Sequence, residues 1–302
     1  MKKKLLGIAM CCAMMLCAAC ENQIGGDSAI NNNEEKLQEV NFNVVDFEKT
    51  LKQMGVGKAD TRALSDNASY LKLALFLGEE KKYEFSQTAE DENFGSISAL
   101  LVPEDYKIVV IASKVEMEIE APTNIHPVGE KVNDTFYHYG TLSKDDIKSG
   151  NVAINLNRAV ALFLIQTDAK PSEVTSFALE IKGASNTFDA EAGFGVGNTT
   201  LSSTFDVSSR TSVYCGIYVF LPSTDSTVTV TTTAYDANNN VVKTHTFNGV
   251  QMKPGYTTQY SGNFFQVNAS WSITINDAGW PEAIKVPFDL SSLQCTQRGS
   301  FI

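Results

Sequence analysis

The chain has very little of the chemistry that catalysis or metal binding requires. Its 302 residues include only three histidines, His126, His138 and His245, which lie far apart and in no metal-ligand spacing such as His-Glu-x-x-His. It contains no Gly-x-Ser-x-Gly motif of the kind that presents a nucleophilic serine. We therefore expect no enzyme activity, no metal site and no cofactor.

Positive charge is also scarce. The chain carries 24 basic and 35 acidic residues, a formal net charge of −11. Three of the lysines stand at positions 2–4, so without them 21 basic residues face 35 acidic ones and the net charge is −14. An acidic surface of this kind disfavours nucleic acid and anionic lipid headgroups as partners. We expect no nucleic-acid partner.

The main apolar run near the N-terminus, Leu5–Leu16, is too short to span a bilayer. It follows three lysines, a layout typical of a secretory signal. The run ends in the sequence LCAAC at 16–20, which resembles a bacterial lipoprotein box and predicts a signal peptide over 1–19 with acylation of Cys20. Ordinary signal peptidase cleavage in the same region is the alternative. Residues 21–35 are polar and predict a tether.

Few cysteines remain once the leader is set aside. Three of the six belong to the signal, and Cys20 would be acylated, which leaves Cys215 and Cys295. In an oxidising compartment these two could form a disulfide. Two unrelated buried thiols are the other interpretation.

The mature sequence is organised as short β-strands. Residues 37–54 fit both a helical and an alternating pattern, and we interpret them as a strand over 39–45 followed by a short helix that Asp46 caps and that ends at Gly55. From Tyr70 onward, short apolar runs alternate with turn residues at a spacing typical of β-sandwiches, and they predict one hairpin over 71–85 and another around the turn at 236–240. The pattern predicts a long connection over 116–133, a helical turn over 142–146 and a flexible loop over 193–197.

Several pieces of the chain, each weak alone, occur in the order found in one family. They resemble fimbrillins, the type V pilins of Gram-negative anaerobes. The pieces are Cys20, Val40–Phe47, Thr61–Ala63, Leu71–Phe76, Tyr106–Ser113, Leu156–Ala161 and Gly255–Gly262. The resemblance implies an all-β fold with two transthyretin-like β-sandwich domains in tandem. It divides the chain into a tether and leader strand over 20–62, a first domain over 63–150 and a second domain over 151–302.

In such pilins a protease cuts after an arginine, the first strand leaves, and a C-terminal strand of the next subunit fills the groove. The resemblance therefore implies cleavage between Arg62 and Ala63, where a plain surface arginine is the alternative. The removable leader strand would present Val40, Phe42 and Val44. The donor strand would present Ile284, Val286, Phe288 and Leu290, which alternate strictly; an ordinary last edge strand is the alternative.

The function implied is that of a lipidated fimbrial subunit at the cell surface, anchored in the outer membrane and acting in adhesion. Its partners would be other copies of itself or companion pilins, together with a host or bacterial surface ligand. Two alternatives remain open. One is an uncleaved anchor subunit of the same system; the other is a glycan-binding lipoprotein that stacks sugars on Tyr137 and Tyr139, or on Trp271 and Trp280.

Overall fold

The structure is a computed structural model that describes residues 36–46, 64–129, 131–267 and 269–277. Within these ranges the chain forms strands in five sheets and two short helices. The prediction of an all-β, multi-sheet sandwich fold is confirmed. No helix in the described ranges is long and apolar enough to cross a membrane.

Twenty strands and two helices make up the described part of the chain. In chain order the strands are β1 (Gln38–Asp46), β2 (Tyr70–Leu77), β3 (Glu80–Thr88), β4 (Ser96–Leu101), β5 (Tyr106–Ser113), β6 (Met117–Ala121), β7 (Asn124–Pro127), β8 (Thr135–Leu142), β9 (Asn151–Asn155), β10 (Asn157–Arg158), β11 (Ala161–Ala169), β12 (Val174–Ala184), β13 (Thr187–Asp189), β14 (Phe194–Val196), β15 (Thr199–Asp206), β16 (Ser212–Val219), β17 (Ser226–Asp236), β18 (Val241–Met252), β19 (Tyr256–Gly262) and β20 (Trp271–Asp277). The helices are α1 (Leu64–Asn67) and α2 (Lys144–Ser149).

The first half of the chain is a sandwich of two sheets. A three-stranded sheet in the order β4-β1-β9 packs on a five-stranded sheet in the order β10-β8-β5-β2-β3. Alternate side chains of both sheets fill the space between them, as two-layer packing requires. Strands β9 and β10, which cover residues 151–158, pair within these two sheets, and β11 is the first strand of the second half.

The second half is built from two four-stranded sheets. One has the order β16-β11-β19-β20 and the other the order β15-β12-β17-β18. Strand β11 pairs antiparallel with β16 and parallel with β19. Their facing sides bury a core that includes Phe163, Phe177 and Cys215.

A fifth sheet joins the two halves, and it corrects two expectations. Its order is β14-β13-β7-β6, so a hairpin from each half contributes two strands. The expected connection over 116–133 is instead the hairpin β6–β7, whose Met117, Ile119 and Ile125 are buried against the second face of the five-stranded sheet. The expected loop over 193–197 contains β14, because Gly195 has no side chain to keep its backbone away from Phe220.

Turn and cap residues act as the sequence predicts. Ser143 caps α2 and shares a reciprocal capping box with Asp146, so the helical turn is confirmed. The turn over 236–240 closes a hairpin between β17 and β18, with Asn239 at a φ of 62°. Strand β15 was not expected, because its serines and threonines give only a weak apolar alternation.

A buried ion pair lies where the chain passes from β10 towards the second half. The Nε and Nη2 atoms of Arg158 donate to the two carboxylate oxygens of Asp134 at 2.8 and 3.0 Å. The guanidinium also stacks over the ring of Phe136, with 4.8 Å from its carbon to the ring centroid. Burial raises the pKa of the Asp134 carboxyl, and the charge of Arg158 opposes that rise. Each charge is therefore tolerated because the other is present.

We expect Arg158→Met to lower the free energy of unfolding by about 3–5 kcal/mol, because it leaves the Asp134 carboxylate buried without its bidentate partner. The double variant Arg158→Met/Asp134→Leu removes both charges and should recover much of that loss. Urea denaturation of the single and double variants measures the difference. A double variant that is less stable than Arg158→Met would contradict this account.

Candidate functional site

Strand β1 lies at the centre of its sheet although it comes from the N-terminal end of the described chain. It pairs antiparallel with β4 and parallel with β9, and no other described strand connects these two. The N–H of Asn41 donates to the Gly150 carbonyl beside β9 at 2.9 Å, and the N–H of Val44 donates to the Gly95 carbonyl beside β4 at 2.8 Å. The predicted strand over 39–45 is confirmed.

One face of β1 completes the core of the first sandwich. Val40 and Phe42 are 0 % and 1 % exposed, while Gln38 and Val44 at the two ends of this column are half-buried. Val40, Phe42 and Val44 pack in one core with apolar residues of β2, β4 and β5. Val40, Phe42 and Val44, the residues expected to form the leader strand, therefore lie on one face of β1. Their role in a removable strand stays a prediction.

The opposite face of β1 is polar and makes its contacts at the surface. Ser98 donates to the carboxylate of Glu39 at 3.1 Å, and Ser96 donates to the side-chain oxygen of Asn43 at 2.9 Å. At the C-terminal end the pairing with β9 shifts between Val44 and Asp46, which leaves Val45 as a bulged residue, 58 % exposed. The pattern of apolar residues inward and polar residues outward fixes the register of β1.

The remaining site residues of the pilin interpretation lie outside the described residues. These are Cys20, Arg62, Ala63, Ile284, Val286, Phe288, Leu290 and Cys295. The segment 47–63, which carries the expected cleavage site and the helix expected after Asp46, connects β1 to α1 and is also outside them. These assignments stay predictions.

Cys215 is one of the two cysteines expected to pair. It lies on β16 with 1 % of its surface exposed, inside the second core. Burial raises the pKa of its thiol well above the usual range, which makes it a poor nucleophile. Its pairing with Cys295 stays a prediction.

The aromatic residues considered for glycan stacking pack against other parts of the protein. Tyr137 contacts Phe188 edge to face with 4.7 Å between ring centroids, and the Tyr139 hydroxyl donates to Glu191 at 2.8 Å. Trp271 packs edge to face on Phe247, with 4.9 Å between ring centroids. Trp280 lies outside the described residues. All three described side chains are half-buried and pack against the second core.

A small cleft of about 230 Å³ lies beside the outer face of β2 and β3. Its wall includes Lys72, whose ammonium lies 3.7 Å from Glu84 and 3.6 Å from Glu118. These carboxylates neutralise the lysine, which is consistent with a structural role. Among the described residues no group of three or more His, Cys, Asp or Glu is arranged to hold a metal ion.

Comparison with known proteins gives a family. A family of unknown function, DUF6562, matches residues 80–285, which is more than half of the chain. The chain belongs to the DUF6562 family. The matched range of this DUF6562 protein begins after β1 and includes the first residues of the expected donor segment. No curated protein matches the chain.

Several solved structures are similar to this DUF6562 chain at low sequence identity. A candidate adhesin from Bacteroides thetaiotaomicron is 12 % identical with a TM-score of 0.49, over 80 % of this chain and 97 % of the other. A fimbrial assembly protein from Parabacteroides distasonis is 12 % identical with a TM-score of 0.41, over 80 % and 99 %. The tip fimbrial protein Mfa3 from Porphyromonas gingivalis, with a C-terminal truncation, is 10 % identical with a TM-score of 0.37, over 80 % and 99 %.

We expect Phe42→Ala in this DUF6562 protein to lower the free energy of unfolding by about 3–5 kcal/mol, because it removes the largest side chain that β1 contributes to the core. The matched control is Val45→Ala on the same strand, whose exposed side chain should change that free energy by less than about 0.5 kcal/mol. Urea denaturation measures both. Equal effects of the two variants would show that β1 does not bury its inward face in solution.

Proposed function

We propose that this DUF6562 protein is a non-enzymatic fimbrial subunit that acts in cell-surface adhesion and assembles by strand replacement. The observation that carries the proposal is the position of β1: the first described strand of the chain forms the central strand of a sheet and fills its core. If β1 left, β4 and β9 would both present unpaired backbone groups beside an open apolar groove. Such a groove binds an extended strand through ladder hydrogen bonds and side-chain pockets.

The leader supports export and anchoring of the same subunit. A signal over 1–19 would carry the chain out of the cytoplasm, and acylation of Cys20 would attach it to the outer membrane. Several acyl chains on one cysteine anchor a protein stably, because each buried methylene contributes about 0.8 kcal/mol. The polar tether over 21–35 then separates the anchor from β1. The partners would be copies of the same chain or companion pilins.

Cleavage after Arg62 would convert β1 from part of the chain into a bound peptide. The cut leaves the ladder and the buried side chains of β1 in place, so the peptide would stay until a competing strand displaces it. It removes the covalent link that makes rebinding of β1 intramolecular, and with it the high effective concentration of the leader. Processing at Arg62 would thereby make exchange with another subunit possible. An uncleaved chain would act as an anchor subunit instead.

The test uses the chain without its acyl anchor, Cys20→Ser, treated with an arginine-specific protease. We expect a single new N-terminus at Ala63 and SDS-resistant ladders of subunits. The matched control, Arg62→Lys, keeps the positive charge and should resist the protease and remain monomeric. Deletion of 284–302 should abolish the ladders without preventing cleavage. Cleaved protein that stays monomeric would overturn the proposal of a polymerising subunit.

A further inference from the structure

We propose that residues 284–290 of a second copy replace β1 in the same chain direction and in one register, with Phe288 at the position of Phe42. This inference rests on the function proposed above and adds the geometry of its partner strand. It is derived from the burial, hydrogen bonding and surface contacts of β1 together with the sequence of the incoming segment.

The inward column of β1 sets the first requirement. Its four positions are half-buried, fully buried, fully buried and half-buried, and they hold Gln38, Val40, Phe42 and Val44. In the proposed register the corresponding residues are Ile284, Val286, Phe288 and Leu290. The two fully buried positions receive the same residue types that they hold in β1. Native side-chain volume is therefore conserved where packing is tightest.

Pro287 sets the second requirement, because it has no N–H to donate. In the proposed register it takes the position of Asn41, whose N–H donates to the Gly150 carbonyl at 2.9 Å. Asn41 is the first residue of β1 that pairs with β9, and Gly150 precedes β9 and is only half-buried. The register also removes the donation of the Asn41 side-chain amide to the same carbonyl at 3.5 Å. The lost backbone hydrogen bond is the outermost one of that ladder, at a half-buried glycine. Proline is tolerated at such strand ends.

The two neighbouring registers fit the positions of β1 less well. A shift that moves Pro287 to the position of Glu39 keeps every bond to β9, but it places Phe288 at Val40, which is 0 % exposed and has no room for an aromatic ring. The opposite shift moves Pro287 to the position of Asn43, in the middle of the pairing with β9. Conserved volume and a terminal proline are therefore compatible only with Phe288 at Phe42.

The outward face gives an independent match. The Asn43 side-chain oxygen accepts a hydrogen bond from the Ser96 hydroxyl at 2.9 Å. In the proposed register Asp289 stands at this position, and its carboxylate can accept the same bond. With the strand reversed, Asp289 would instead stand opposite Ser98, which donates to Glu39 in the structure and could donate to Asp289 as well. The direction is therefore argued from Pro287: reversal about Phe288 moves the proline to the position of Asn43, which pairs with both β4 and β9.

Cysteine cross-linking between two copies tests this register. Position 43 and Ser96 face each other between hydrogen-bonded pairs of the antiparallel ladder, where the Cα atoms are about 4.5 Å apart and a disulfide can form. One copy carries Ser96→Cys and the other Asp289→Cys, both in the Cys20→Ser/Cys295→Ser background and both cut after Arg62. After mild oxidation we expect a species of twice the subunit mass in boiled SDS samples, lost on adding reductant.

Two matched pairs report the competing geometries. Ser96→Cys with Ser291→Cys links only if the strand is shifted so that Pro287 stands at Glu39. The reversed direction is indicated if Ser98→Cys links to Asp289→Cys while Ser96→Cys does not link to Ser291→Cys. Either result overturns the register while leaving strand replacement intact. Ladders without any of the three links would overturn the proposed register, because residues 284–290 would then be shifted so that Pro287 stands at Asn43 or would not occupy the groove. Absence of SDS-resistant ladders before oxidation would overturn the proposed function itself.

Discussion

The first sandwich depends on β1, a strand that lies far in the sequence from both strands with which it pairs. Strands β4 and β9 do not pair with each other, and β1 is the element that makes them one sheet. Because a central strand satisfies backbone groups on both of its sides, β1 supplies two ladders at once. It also supplies two fully buried side chains, Val40 and Phe42. In this sheet, the same strand therefore provides both backbone pairing and core packing.

The second sandwich has a strand with equivalent neighbours, β11, that is continuous with described chain at both of its ends. Strand β11 has an antiparallel neighbour, β16, on one side and a parallel neighbour, β19, on the other, just as β1 has β4 and β9. Only two buried residues, Ala159 and Val160, separate β11 from β10, so it is held by the chain at both ends. Strand β1 is separated from the next described element, α1, by residues 47–63. Equivalent positions in the two sheets thus differ in how they are connected.

The sequence predicts strands well where burial is one-sided and poorly where it is not. Alternation identified β1, the β2–β3 hairpin and the β17–β18 hairpin, because each has a distinct inward face. It did not identify β6 or β14, which are short. Strand β6 is buried against the second face of the five-stranded sheet, and β14, which is at most half-buried, lies where the Gly195 backbone approaches Phe220 closely. The inward residues of β1 were predictable. Its parallel pairing with β9 was not, since register depends on a partner far along the chain.

The packing of β1 is tightest at its middle and looser at both of its ends. Val40 and Phe42 are fully enclosed, whereas Val44 is half-buried and Val45 bulges out of the ladder with β9. Local opening begins where few apolar contacts and exposed hydrogen bonds occur. Gln38 at the other end is also half-buried, and the residues before Asn41 do not pair with β9. A strand that entered at either end would therefore pair first where β1 is held loosely and meet the tight pockets of Val40 and Phe42 later, so displacement could proceed stepwise without first emptying the whole groove.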